Sequence, residues 1–276
     1  AANLTIRAPE NARKGNLAAG PNFARFYLAD LLPPGVDKVV YLDADTIVRK
    51  DVAHLFDTSL TSSTPRNFAV AAVSRRYKAM CGSFINCRSP EVTMLLKSQK
   101  ITDPDAQLDP FNAGVLVVHL GRWRALELTR AVEFWMRWNS DLPLYKLGSN
   151  PPLVLAVRDR FQHLDNRWNC QRGHTCWDRG DAGALHWSGA NKPWGLTFER
   201  DRVEWLPFAA PKCLAGLPEL GAVYEATSAG DDRRFRPRRR SRNATGFGSR
   251  SAGVARRPAE GDRDLLWPAY DLVGRF

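Results

Sequence analysis

Val39-Val40-Tyr41-Leu42-Asp43-Ala44-Asp45-Thr46 joins four apolar, β-favouring residues to two carboxylates one residue apart. Such a run predicts a buried strand of an α/β sheet, and ligands of these sheets bind in the crevice beyond the carboxyl ends of the strands. Asp43 and Asp45 stand at such an end. At i and i+2 of an extended chain their side chains lie on one side, so two hard oxygen donors can share one Mg2+ or Mn2+. An acidic turn whose aspartates cap the next helix is the other reading of these eight residues taken alone.

Outward from this strand, apolar runs alternate with helical patterns. Asn22 is placed to cap a helix over Phe23 to Leu32, with Phe23, Phe26, Tyr27 and Leu31 along one stripe and a stop at Pro33-Pro34-Gly35. Phe68 to Val73 and Gly114 to His119 read as two further buried strands. Ser89 and Pro90 open a helix through Leu96 as N-cap and first-turn proline. A helix over Ala125 to Trp138 carries Leu128, Val132, Trp135 and Trp138 at helical spacing, the pattern of core packing. The alternation predicts an α/β fold with a mostly parallel sheet flanked by helices.

The chain has 276 residues, 44% of them hydrophobic, enough for one α/β domain plus accessory sequence. Its net charge of +11 is unevenly spread. Ser228 to Arg263 holds eleven arginines and four acidic residues, a net of +7, which leaves +4 for the rest. The folding part is therefore only mildly basic, and specific nucleic-acid binding is not expected. Residues 209–263 are rich in Ala, Gly, Pro, Ser and Arg without apolar periodicity, and read as a disordered basic insertion. Residues 264–276 include Leu265-Leu266-Trp267-Pro268-Ala269-Tyr270, an aromatic segment able to dock on the domain formed by residues 1–208.

No stretch approaches the roughly 20 apolar residues of a membrane span, no signal peptide is visible, and the chain begins at Ala. Cys81, Cys87, Cys170, Cys176 and Cys213 form no zinc pattern, and their odd number leaves at least one unpaired within the chain. Cys170 and Cys176 are near enough to bridge a small loop in an oxidising compartment, or are two unrelated thiols.

Two more segments carry chemistry. Pro110-Phe111-Asn112-Ala113-Gly114 places an amide in a tight turn beside small residues that let a ligand approach the backbone. His186-Trp187-Ser188-Gly189-Ala190-Asn191-Lys192-Pro193-Trp194 packs an imidazole, a flexible glycine and an ammonium between tryptophans that exclude water. Such a loop can close over a diphosphate bound to a cation, with His186 completing the metal shell and Lys192 neutralising phosphate oxygen.

Taken together these segments resemble glycosyltransferase family 8, the retaining, metal-dependent nucleotide-sugar transferases of the GT-A fold, and within it the plant galacturonosyltransferase-like branch. The resemblance rests on Asn22 to Pro33, Tyr41 to Asp45, Phe111 to Val115, Leu147 to Pro152, Arg167-Trp168-Asn169, His186 to Trp194 and the terminal Leu266 to Leu272. It implies a GT-A-type, Rossmann-like mixed and mostly parallel sheet. It also implies that Asp43, Asp45 and His186 bind Mn2+ (or Mg2+) bridging the diphosphate of a UDP-sugar, that Gly189 and Lys192 contact that diphosphate, that Arg25 lies beside the donor, and that Asn112 faces the donor sugar or acceptor. Metal and lysine would stabilise charge on the leaving nucleoside diphosphate, which makes Lys192 and Asn112 the catalytic candidates.

The resemblance further implies a sugar, galacturonic acid or xylose, moved to a cell-wall polysaccharide such as pectin or xylan in the Golgi lumen, in association with other Golgi transferases. On that reading the membrane anchor is expected to lie outside this sequence. The sequons Asn3-Leu4-Thr5 and Asn243-Ala244-Thr245 fit a lumenal location. Two departures qualify the match: Gly148-Ser149-Asn150 stands where many family members carry an Asp-Gln pair, and only 42 residues precede Asp43, so the first strand of the nucleotide-binding sheet is expected to be missing. A catalytically inactive binding or scaffold module of the same fold is therefore one alternative. The other is a haloacid-dehalogenase-type phosphatase with Asp43 as nucleophile, whose acidic metal pair only Gly230-Asp231-Asp232 mimics, inside the insertion.

Overall fold

The protein's structure, a computed structural model, describes residues 20–60, 68–75, 77–146, 148–158, 160–189, 191–194, 204–205 and 208. The front of the chain, the basic insertion, the terminal segment, both sequons, Cys213 and Gly230-Asp231-Asp232 lie outside the described residues. The described chain divides between Leu185 and His186 into two compact units.

The chain passes through a 3₁₀ helix (Gly20–Tyr27) into α1 (Leu28–Leu31), β1 (Lys38–Leu42), β2 (Thr46–Val48), α2 (Ala53–Phe56), β3 (Val70–Ser74) and α3 (Met80–Ser83). There follow α4 (Pro90–Ser98), α5 (Pro104–Gln107), β4 (Phe111–His119), α6 (Leu120–Ala125), α7 (Leu128–Asp141) and α8 (Asn150–Val157). The last elements are β5 (Gln162–His163), a 3₁₀ turn (Asn166–Asn169), β6 (Cys170–Gln171), α9 (Thr175–Asp178) and β7 (Ala184–His186).

The main sheet has the order β1-β4-β3-β5. β4 runs antiparallel to both β1 and β3, whereas β3 and β5 pair in parallel. Thus β1, β3 and β5 share one direction and β4 alone opposes them: the sheet is mixed. Apolar runs reveal burial but not strand direction, which is why the reversal of β4 is invisible in the sequence.

Burial alternates along the strands with period two. Val70, Ala72, Leu116 and Val118 pack into the large core with Phe23, Phe26, Leu96, Trp135 and Leu153. Ala71, Val73, Val115 and Val117 pack on the opposite face with Leu55, Leu60 and Leu164. Both faces of the sheet are covered, as the unbroken apolar runs require.

Three local expectations change in detail. Asn22 does not cap a helix but lies inside the 3₁₀ segment, where its side chain and carbonyl serve Arg25. The helix expected over Ala125 to Trp138 starts later, as α7 at Leu128, because Glu127 adopts a left-handed backbone with φ of 49°, and Ala125 instead ends the separate α6. The Asn-Ala-Gly segment is not a turn before a strand but part of β4, whose register slips between Ala72 and Ser74. Leu116 pairs with Ala72 but Phe111 pairs with Ser74, so residues 112–115 bulge out of the ladder with β3, while Val115 stays paired with Leu42 of β1. Ser89 behaves as expected: its Oγ accepts from the Val92 amide at 3.3 Å at the start of α4.

Cys81–Cys87 and Cys170–Cys176 are disulfides, which settles the open reading of the second pair. In the second unit Trp194 and Trp205 stack with ring centroids 6.1 Å apart.

Candidate metal centre

β1 delivers Asp43 beyond its last residue, and the Asp43 amide is tied to the bulged strand by donating to the Gly114 carbonyl at 2.8 Å. Asp45 follows one residue on. The cut between the two units falls inside β7, and His186 is the last residue of that strand in a three-stranded sheet of order β2-β7-β6. One ligand atom each of Asp43, Asp45 and His186 all lie within 4.8 Å of one another. His186 is 2% exposed. Two carboxylates and an imidazole this close fit a divalent cation by their donor chemistry, and crowding two carboxylates without one would be unfavourable.

Arg25 organises the first ligand. Its Nη2 donates to Asp43 Oδ1 at 2.8 Å, its Nη1 to the Ala113 carbonyl at 2.7 Å and its Nε to the Asn22 carbonyl at 3.2 Å. The guanidinium carbon lies 4.8 Å from the centre of the Tyr41 ring, and the Tyr41 hydroxyl donates to the same Asp43 oxygen at 2.7 Å. Burial first, with the neighbouring Asp43 carboxylate adding to it, pushes the Tyr41 phenol far above its ordinary value, so it remains a donor at any physiological pH. The 3₁₀ geometry of Gly20–Tyr27 matters here: it turns Asn22 and Arg25 to the same side, three residues apart.

Asn112 is held from two sides. Its Oδ1 accepts from the Gly114 amide at 3.0 Å and from Asn169 Nδ2 at 3.0 Å, and its carbonyl accepts from the same Nδ2 at 3.1 Å. Asn150 Oδ1 accepts from the Ala113 amide at 3.2 Å, and Ser149 Oγ donates to Asn22 Oδ1 at 3.1 Å. Ser149 and Asn150 thus brace the Asn22–Arg25 turn and the backbone of the bulge.

Gly189 and Lys192 belong to the second unit. Gly189 has φ of 104°, a conformation that favours glycine, and Lys192 Nζ donates to the Trp187 carbonyl at 2.8 Å. The structure therefore brings together Arg25, Asp43, Asp45 and His186, fixes Asn112 on the adjoining bulge, and holds Gly189 and Lys192 within their own loop. Sequence reasoning gave no role to Tyr41, Asn150 or Asn169, and to Asn22 only that of a helix cap. All four fall in or next to the segments that carry the resemblance, and polar side chains flanking an apolar strand end were the available signal.

Comparison with known proteins shows the family and the fold. The chain is 34% identical over 184 residues to the protein named Probable galacturonosyltransferase-like 2 of Arabidopsis thaliana, covering 63% of this chain and 51% of that one. It is 35% identical over 184 residues to Probable galacturonosyltransferase-like 7 of the same plant, covering 63% and 47%. The chain spans about half the length of the curated relatives it matches. Among solved structures, the galactosyltransferase LgtC in complex with donor and acceptor sugar analogues superposes with a TM-score of 0.51 at 22% identity, over 76% of this chain and 74% of that one. The bifunctional glycosyltransferase WbbM gives 0.51 at 22% identity, over 67% and 35%. At that identity the likeness shows the fold, which is of the GT-A type. The sequence model described as Glycosyl transferase family 8 matches residues 6–197, a span that includes every residue placed above, and the chain belongs to that family.

Proposed function

We propose that this protein is a retaining glycosyltransferase that moves a sugar, galacturonic acid or xylose, from a UDP-sugar to a cell-wall polysaccharide. The observation that carries the reading is the Asp43, Asp45, His186 cluster at the end of β1 and β7, with Arg25 fixed against Asp43. Asp43, Asp45 and His186 would hold Mn2+ (or Mg2+), and when bound the cation neutralises charge on the diphosphate leaving group. The same cluster favours this reading over the phosphatase alternative, in which Asp43 must be a free nucleophile rather than an acceptor for Arg25 and Tyr41.

The chain's own groups divide the remaining work. Lys192 supplies an ammonium for the phosphate oxygens, and the positive φ of Gly189 lets backbone approach the diphosphate. Arg25 orients Asp43 and flanks the donor; Asn112, immobilised by Asn169 and Gly114, presents its amide to the sugar. The bond from the anomeric carbon to the diphosphate oxygen breaks with its electron pair going to UDP. The acceptor hydroxyl oxygen bonds that carbon, and its proton passes to the departing diphosphate, so a dedicated general base is not required. Two disulfides among the described residues suit an oxidising, lumenal compartment such as the Golgi.

The test is transfer of labelled sugar from UDP-galacturonic acid and UDP-xylose to oligogalacturonide and xylan oligosaccharides with Mn2+, read as glycosylated product and released UDP. Product from one donor, lost in EDTA and in Asp45→Ala, is expected. Absence of both hydrolysis and transfer with every pair, from folded protein, would contradict the reading.

A further inference from the structure

Beyond the candidate metal centre, the chain just past β3 carries Arg75 and Lys78, which form no ion pair with a carboxylate among the described residues. Arg75 directly follows Ser74, is 7% exposed, and its buried Nη2 has no hydrogen-bond partner. A buried guanidinium nitrogen left unpaired is costly, and natural structures leave such groups where something else completes them. The carboxylate of Asp109, which Ser74 contacts, is engaged elsewhere: Ser74 Oγ donates to one oxygen at 2.6 Å and His163 Nε2 lies 3.0 Å from the other.

Three more side chains gather there. Tyr77 is 65% exposed, its hydroxyl is 3.3 Å from His174 Nε2, and the two rings meet edge to face at 6.0 Å. Lys78 Nζ stands 5.9 Å from the centre of the Tyr77 ring. Burial first, then the charges of Arg75 and Lys78, hold His174 below its ordinary value, and burial followed by the charge of Arg75 does the same to Lys78. Arg75 and Lys78 therefore bear on each other and on His174, and among the described residues none of the three forms an ion pair with a carboxylate. Disulfide Cys170–Cys176 closes the loop that carries His174.

The position is suited to a sugar. Ser74 pairs with Phe111 on β4, and three residues further along that strand the Gly114 carbonyl holds the Asp43 amide, a span of at most about 11 Å. An exposed aromatic ring beside cationic groups offers a sugar face something to stack on and an acid group something to bind.

Building on the glycosyltransferase reading, we infer that Arg75, Tyr77, Lys78 and His174 form a subsite for an acidic sugar, binding the carboxylate of a uronate while the Tyr77 ring packs against the pyranose. The carboxylate can come from the polysaccharide acceptor or from a uronic acid donor, and the two sources bind under different conditions.

The experiment titrates an oligogalacturonide and its neutral methyl ester into the folded protein, without nucleotide or metal. The acid oligomer is expected to bind on the order of tenfold more tightly than the ester, with the preference falling toward unity in Lys78→Gln and Tyr77→Ala, both at exposed positions. A parallel arm compares UDP-galacturonic acid with UDP-galactose in Mn2+. A Lys78-dependent preference in the oligomer arm assigns the subsite to the acceptor, and one in the donor arm assigns it to the donor. Equal binding of acid and neutral partners in both arms, or a preference that Lys78→Gln leaves intact, overturns the inference. Failure of UDP to bind in Mn2+ would sink the transferase reading, yet the oligomer arm would still read out the subsite.

Discussion

Arg25 and Asp43 form an ion pair of 2.8 Å between a side chain that is 5% exposed and one that is 23% exposed. The pair links the 3₁₀ segment to the end of β1, and the same guanidinium reaches the Ala113 carbonyl on β4. One side chain therefore fixes a carboxylate of the proposed metal centre and the bulge that carries Asn112. An arginine is needed because only a fork of donors serves both partners at once.

Arg25→Ala is expected to destabilise the fold by about 2–3 kcal/mol, below the ~3–5 kcal/mol of a fully buried pair because Asp43 keeps contact with water. Arg25→Lys should recover part of that stability in denaturant unfolding but not the nucleotide affinity, since one ammonium cannot hold Asp43 and Ala113 together. Equal affinity in Arg25→Lys and the parent would show that the fork is not needed.

Asn169→Ala removes the donor shared by Asn112 Oδ1 and the Asn112 carbonyl, both buried. The expected cost is about 1–3 kcal/mol by chemical denaturation, with transfer reduced more than nucleotide binding because Asn112 loses its fixed orientation. A loss of nucleotide binding as large as the loss of transfer would place Asn169 in a different role.

At Gly183 an added Cβ would come within 2.8 Å of the Trp168 ring. The Gly183 carbonyl also accepts from the Arg49 amide at 2.8 Å, so ring and backbone are both confined just before β7. Gly183→Ala is expected to cost about 1–3 kcal/mol by overpacking and to weaken metal binding through displacement of His186. A variant with unchanged Tm would show that Trp168 moves aside freely.

His119 carries a pH signature. Burial first, then the charge of Arg122, hold it below its ordinary 6.5, and its Nδ1 accepts from the Arg122 amide at 3.4 Å at the start of α6. The unfolded chain therefore takes up this proton before the folded one does. The contribution is complete above 6.5 and is lost as pH falls through 6.5 toward the lower folded value. Tm should fall with acidification in that window, and His119→Asn, which keeps an N-cap acceptor, should fall less steeply. Identical slopes would remove His119 from the account.

Much of this was legible in the sequence because it lies in short runs. The apolar stretch ending in Asp43 and Asp45 gave the strand and two candidate ligands, and the His186 to Trp194 loop gave a third, but the burial expected of the strand is not complete: β1 is half-buried along its whole length. Strand direction was not legible, since Gly114 to His119 reads the same whichever way it pairs. Nor was the slip that bulges residues 112–115, which depends on what Arg25, Asn150 and Asn169 offer from 88, 37 and 57 residues away. Asn22 shows the limit of local rules: a good capping residue was drawn into a tertiary network instead. The Arg75 group was not legible because Arg75, Tyr77 and Lys78 are unremarkable as a short polar run and His174 joins Tyr77 from 97 residues away.

Titration of UDP into the folded protein by calorimetry, with Mn2+ and then with EDTA, tests the central assignment most directly. Binding in Mn2+ that disappears in EDTA, in Asp45→Ala and in His186→Ala is the expected result. Binding that survives unaltered in both variants would contradict the metal centre of Asp43, Asp45 and His186, and no binding in either condition would contradict the donor site.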